Sequence, residues 1–180
     1  MVLARILRCF LLPPLMLFAA DADPADAVDA VDARQAKLAA AYVFNFMKFT
    51  EWPATSSLAG LEVCFSGAED IRVALTEAVR DKSVGERRIS VRAVAEAGGY
   101  SGCHVLYLDS SSSLKVPSQS SEGILTIGDS PTFTAGGGVI RLYVDNNRLR
   151  FIINIDHAKR ARLQVSSNLL KLATRIEQGP

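Results

Sequence analysis

Histidine is nearly missing from this chain, with two in 180 residues, and cysteine is almost as scarce, with three. His104 and His157 stand on separate predicted elements, and a zinc site wants more ligands at closer spacing. HExxH, GxSxG and CxxC are all absent, so the common metalloprotease, serine hydrolase and dithiol signatures are excluded. Gly136 to Gly138 do not form a phosphate loop. The run lacks the GKS/T ending and precedes a strand, where a P-loop would precede a helix; it reads as a tight lead into a hairpin. An excess of either charge is also missing, with 20 basic and 19 acidic residues, which gives no electrostatic case for nucleic acid. No cofactor, no metal and no catalytic residues are expected.

What is present first is an export signal. Residues 1–22 read as a secretory signal peptide. Arg5 and Arg8 supply its positive end, "CFLLPPLMLFAA" its short apolar run, and Ala20-Asp21-Ala22 its small-x-small cleavage site. The run is too short to span a bilayer comfortably, and no second one reaches that length. Cleavage leaves 158 residues with 18 basic and 18 acidic side chains, one domain's worth with a sizeable core. Of the cysteines, only Cys64 and Cys103 remain. In an oxidising compartment two cysteines are most simply one disulfide.

"DADPADAVDAVDA" is acidic, low in complexity and poor in large apolar side chains, so 23–33 is expected to be a disordered leader. Residues 34–178 are expected to be a single domain. It opens with a helix from about Arg34 to Glu51, stopped by Pro53. The following pattern is strand "LEVCFSG", helix "AEDIRVALTEAVRDK", strand "RRISVRAVA", strand "CHVLYLD" and strand "ILTIGD". That order predicts an α/β fold with a mostly parallel central sheet flanked by helices. "GGVIRLYVDNNRLRFIINID" is different: two strands around Asn146-Asn147, a two-residue turn with positive φ. This C-terminal antiparallel hairpin is expected to complete the sheet. A last helix should begin near Ser166 or Ser167 as N-cap.

"AAYVFNFMKFTEWP" carries five of the thirteen aromatic residues. Helical spacing puts Leu38, Tyr42, Asn45, Phe46, Phe49 and Trp52 on one face, expected to pack on the sheet. Phe44 and Met47 project to the other side, beside Lys48 and Glu51. Those four residues are either a partner-binding surface or scattered exposed hydrophobes among charges. Asp109 and Asp129 each end a predicted parallel strand, where open α/β sheets keep their ligand crevice. They would bind a cation or a small polar ligand, or else cap helices. Ser110 to Ser113 form a loop run with no base placed near them. Lys159, Arg160, Arg162, Lys171 and Arg175 form a late basic cluster, either a solvated face or a site for an anionic partner or cell-wall polymer.

The stretch "AYVFNFMKFTEWP" resembles the opening signature of the YfiR-like family of periplasmic proteins. "VCFSG", "CHVLYL" and "GILTIGDSPTFTAGGGVIRLYVDNNRLRFIINIDHAKRARLQVSSNLLKLA" follow in the family's order and spacing, across essentially the whole exported domain. One position departs, Ile152, where the family pattern leads one to expect an acid. The resemblance implies a periplasmic repressor. It would bind the periplasmic domain of an inner-membrane diguanylate cyclase, YfiN-like, and hold down cyclic di-GMP and biofilm formation. It further implies an outer-membrane lipoprotein partner, YfiB-like, a homodimer, and a disulfide between Cys64 and Cys103. The residues themselves leave a second reading open, a periplasmic small-ligand- or peptidoglycan-binding module using the strand-end crevice.

Overall fold

A computed structural model describes residues 24–53, 60–95, 99–117 and 122–179; residues 1–22, expected to be a signal peptide, lie outside them. The chain opens with helix α1, Pro24–Lys48. Its start corrects the expected boundary, because residues 24–33 of the predicted leader are helical. Alanine has the highest helix propensity, and proline suits a first helical turn, so a segment with little to bury still forms helix. The helix also ends earlier than expected. Thr50–Glu51 are a short strand, β1, paired antiparallel with β9, Gln164–Val165.

The remaining elements are β2 Leu61–Ser66, α2 Glu69–Val79, β3 Ser83–Val84, β4 Arg87–Ala93, β5 Val105–Leu108 and β6 Leu125–Gly128. They are followed by β7 Ile140–Asp145, β8 Arg148–Asn154, α3 Ile155–Arg160, α4 Ser167–Leu172 and β10 Arg175–Glu177. The main sheet has the order β10-β8-β7-β6-β5-β2-β4-β3. It is parallel except where β7 meets β8 and β3 meets β4. The β7–β8 turn is the predicted one, with Asn146 and Asn147 at φ 48° and 57°. The hairpin joins the parallel strands through β7 on β6, as expected, and one further strand follows it. β10 pairs in parallel on the outside of β8 and forms that edge.

Alternation along the strands separates two cores. The larger contains Val63, Phe65, Val105, Tyr107, Ile127, Ile140 and Ile153, and all four helices contribute to it. The smaller contains Cys64, Leu106, Leu108 and Phe133, and no helical residue belongs to it. Among the described residues the helices therefore share one face, and loops cover part of the other. The Phe133 ring explains two of the four glycines of "TIGDSPTFTAGGG". A Cβ on Gly128 or Gly138 would overlap that ring.

The buried stripe of α1 is Ala36, Ala39, Ala40, Val43, Phe46 and Met47. It is rotated from the predicted face. Leu38 and Asn45 are exposed, and Tyr42, Phe49 and Trp52 sit half-buried at its margin. Small alanines let the helix approach the sheet closely, while the large aromatics at the margin keep their polar atoms bonded. The Tyr42 hydroxyl donates to the Leu149 carbonyl at 3.3 Å, and the Trp52 indole donates to the His104 carbonyl at 3.2 Å.

Candidate functional site

Cys64 lies on β2 with its side chain in the smaller core. Cys103 precedes β5, the strand that pairs beside β2. Their Cα atoms are 5.9 Å apart and the two are joined as a disulfide. Arg92, opposite Cys64 on β4, places its guanidinium 3.2 Å from the Cys103 sulfur and 2.9 Å from Glu62. Neither histidine is displayed at a surface. The Nδ1 of His104 accepts the Glu62 N–H at 3.1 Å. His157 is buried in α3 and donates from Nδ1 to the Gly138 carbonyl at 2.9 Å. Both rings hold backbone in place. Among the described residues no group of three or more His, Cys, Asp and Glu is arranged to hold a metal.

The four residues of the predicted partner-binding surface do not stay together. Met47 is fully buried, which removes it from any contact surface. Phe44 is half-buried beneath two ammonium groups, Lys82 at 5.1 Å and Lys48 at 5.8 Å from its ring centre. Lys48 and Glu51 are exposed, the latter on β1. The sequence pattern failed at Met47 because its charged neighbours Lys48 and Glu51 marked the segment as surface. Long charged side chains extend away from an apolar contact without exposing the residue between them.

The apolar surface lies one helical step away. Tyr42, Asn45, Phe49, Phe151, Leu169 and Leu172 line a groove of about 350 Å³ between α1 and α4. Leu172 is 69% exposed and Leu38, farther along α1, is 48% exposed. α4 is set here by Ser166, whose hydroxyl accepts the Leu169 N–H as the predicted N-cap.

Asp109 and Asp129 have separated roles. The Asp109 carboxylate accepts the Ala68 N–H at 3.2 Å, ahead of α2, and also that of Ser111. Burial alone would raise its pKa, but these bonds outweigh it and hold the carboxyl below its ordinary value. That is the capping role, supplied from a neighbouring strand. Gly67 must be small and left-handed for it, since its φ is 77° and a Cβ would meet the Asp109 side chain at 2.7 Å. Asp129 caps no helix, because residues 131–137 form turns. It lines a cleft of about 480 Å³ at the C-terminal ends of β5 and β6, roofed by the middle of α1. Tyr107, Ser110, Asp70, Asp32, Gln35 and Arg141 share this cleft, with Ala36, Ala39 and Leu142 as apolar wall. One Asp129 oxygen, Oδ1, is buried with no hydrogen-bond partner. Burial, then the charge of Asp109, pushes the Asp129 pKa up, and burial likewise raises that of the Tyr107 hydroxyl.

No helix among the described residues is long and apolar enough to cross a membrane. No curated protein matches the chain. Among the solved structures that resemble it are two of low identity. One is the ABC domain in complex with L-Trp from Streptococcus pneumoniae, 12% identical with a TM-score of 0.45, covering 66% of this chain and 55% of that one. The other is a conserved domain protein from Vibrio cholerae O1 biovar El Tor, 11% identical with a TM-score of 0.46, covering 77% and 60%. The chain thus spans little more than half the length of either. Residues 36–174, from the first buried turn of α1 to the threshold of β10, match the YfiR/HmsC-like family. The chain belongs to that family, one of periplasmic regulators of diguanylate cyclase signalling.

Proposed function

We propose that the protein is a non-enzymatic repressor that binds the periplasmic domain of a membrane-bound diguanylate cyclase. Family membership across 36–174 is the observation that carries this reading. Repression by binding requires a preference. A repressor that binds active and inactive cyclase equally shifts nothing, while a hundredfold preference for the inactive form shifts the balance by about 2.8 kcal/mol. The α1–α4 groove, with Leu38 and Leu172 beside it, offers the apolar contact. In the same reading the protein is a homodimer, and an outer-membrane lipoprotein relieves repression by competing for it. The test uses cells carrying the cyclase and this protein. Leu38→Asp with Leu172→Asp should raise cyclic di-GMP to the level seen without the protein, while its melting temperature stays within a few degrees. Unchanged repression by the doubly substituted protein would reject the groove. Unchanged cyclic di-GMP on deleting the whole protein would reject the repressor.

A second reading, a small-ligand module, is favoured by the unpaired buried oxygen of Asp129 in a partly apolar cleft lined by three carboxylates, Asp32, Asp70 and Asp129, and one cation, Arg141. The ligand it fits is a small organic amine, whose ammonium supplies the missing donor. Isothermal titration with butylamine should show binding that Asp129→Asn abolishes. Only the ionised carboxylate attracts an ammonium, so affinity should fall as pH drops through the raised Asp129 pKa. Asp109 and Tyr107 face the same carboxylate, and Asp32, Asp70 and Arg141 share the cleft. Binding that is indifferent to both pH and the substitution removes this reading.

A further inference from the structure

The sheet face turned away from the helices is open where β7, β8 and β10 meet, and arginine dominates it. Directly opposed residues project to the same side. The registers therefore form three rows, Arg141 with Ile152 and Arg175, Tyr143 with Arg150, and Asp145 with Arg148. Four guanidinium groups thus share a patch three strands wide, with neighbouring strands about 5 Å apart. Two of them are paired on the same patch, Arg150 with Asp145 at 2.9 Å and Arg175 with Glu177 at 2.6 Å. Arg141 and Arg148 form no ion pair among the described residues. The cross-strand neighbours of Arg141 are Ile152 and Gly128, neither of which offers a side-chain acceptor, and its Nε is buried without a partner, at the point where this face meets the rim of the Asp129 cleft. Its guanidinium lies 4.6 Å from the Tyr143 ring centre, which fixes the planar fork in place.

We propose that this face docks an acidic segment of a partner protein, whose carboxylates engage Arg141 and Arg148 and compete with Asp145 and Glu177 for the other two arginines. An uncompensated pair of arginines repels a second copy of the same face, so the occupant is not this chain. A lipid surface fits poorly, because the large exposed apolar side chains that would enter it lie elsewhere. Leu38 and Leu172 are on the helical side, and Val144 and Ile176 alternate away from the arginine rows. Successive side chains on one face of an extended acidic segment recur about every 7 Å, which suits the spacing along β7 and β8. The proposal stands apart from the repressor reading, since it names a different surface and needs no cyclase.

The test is binding of the exported protein to fluorescent poly-L-glutamate, with phosphatidylglycerol vesicles as a separate arm. The whole chain has a net charge of only +1, so non-specific attraction to a polyanion is small. Poly-L-glutamate should bind, more weakly as salt rises, and vesicles should not. Arg141→Gln with Arg148→Gln should weaken binding at least tenfold. Lys159→Gln with Arg160→Gln on α3 removes the same charge elsewhere and should change it less than twofold. If the first pair disturbs the melting temperature, Arg148→Gln with Arg175→Gln replaces it, and the same tenfold loss is expected. Equal weakening by the face and α3 variants would reduce the effect to net charge and overturn the proposal. Absence of poly-L-glutamate binding, or binding to vesicles alone, would overturn it as well.

Discussion

Replacing Cys64 and Cys103 together by alanine should destabilise the protein by roughly 4 kcal/mol, the chain-entropy value for freeing a loop of this size. The two residues are 39 apart in sequence, and the bond joins β2 to the approach of β5, at the centre of the sheet. Both side chains are buried, so the substitution also loses packing in the smaller core. That core has no helix to share the burden. The loss is a large part of the stability of an ordinary domain. Urea unfolding followed by circular dichroism measures it. The substituted protein should have a lower midpoint and a steeper dependence on urea, because its unfolded chain expands further. The unfolded, unreduced wild-type protein should show no free thiol on labelling. Two labelled cysteines, or a midpoint indifferent to reductant, would refute the expectation.

Phe46→Ala should cost about 3–5 kcal/mol, as large-to-small changes in a packed core do. Phe46 is 1% exposed and meets two other rings edge to face, Phe151 with centres 5.0 Å apart and Tyr42 at 6.0 Å. Its removal opens a hole where α1, β8 and the groove toward α4 converge. Phe44→Ala, two residues earlier, should cost only about 1–2 kcal/mol, for partial burial and the loss of two weak cation contacts. Thermal melts of the two variants decide the matter. Equal losses would place Phe44 as deep in the core as Phe46. The contrast also guards the cyclase experiment, because a Phe46 variant loses function by losing fold.

The β7–β8 hairpin was legible because two consecutive asparagines at positive φ have few other uses. α2 was legible because Leu75 and Val79 keep a helical spacing over a polar remainder. The face of α1 was not, because size drew the reading toward Tyr42, Phe49 and Trp52, while the contact was made by Ala36, Ala39 and Ala40. Strands of two or three residues, such as β1, β9 and β10, are too short to show any period. Asp129 was visible as a strand-end acid, and its unpaired oxygen was not. The arginine rows depend on register. Arg141, Arg150 and Arg175 have no sequence spacing that marks them as neighbours, and only the pairing of β7 with β8 and of β8 with β10 brings them together.

The eight-stranded sheet is bounded by β3, two residues long, and β10, three residues long. A strand edge is a template of free amide and carbonyl groups on which another chain can be copied, and such short end strands cover little of their neighbours. β3 meets only Arg87 and Arg88 of the seven-residue β4, and β10 only Ile152, Ile153 and Asn154 of the seven-residue β8. Ile89 to Ala93 of β4 therefore have no strand partner on their outer side among the described residues, which makes that stretch the place where an added strand, of a second copy or of a partner, finds a backbone to pair with.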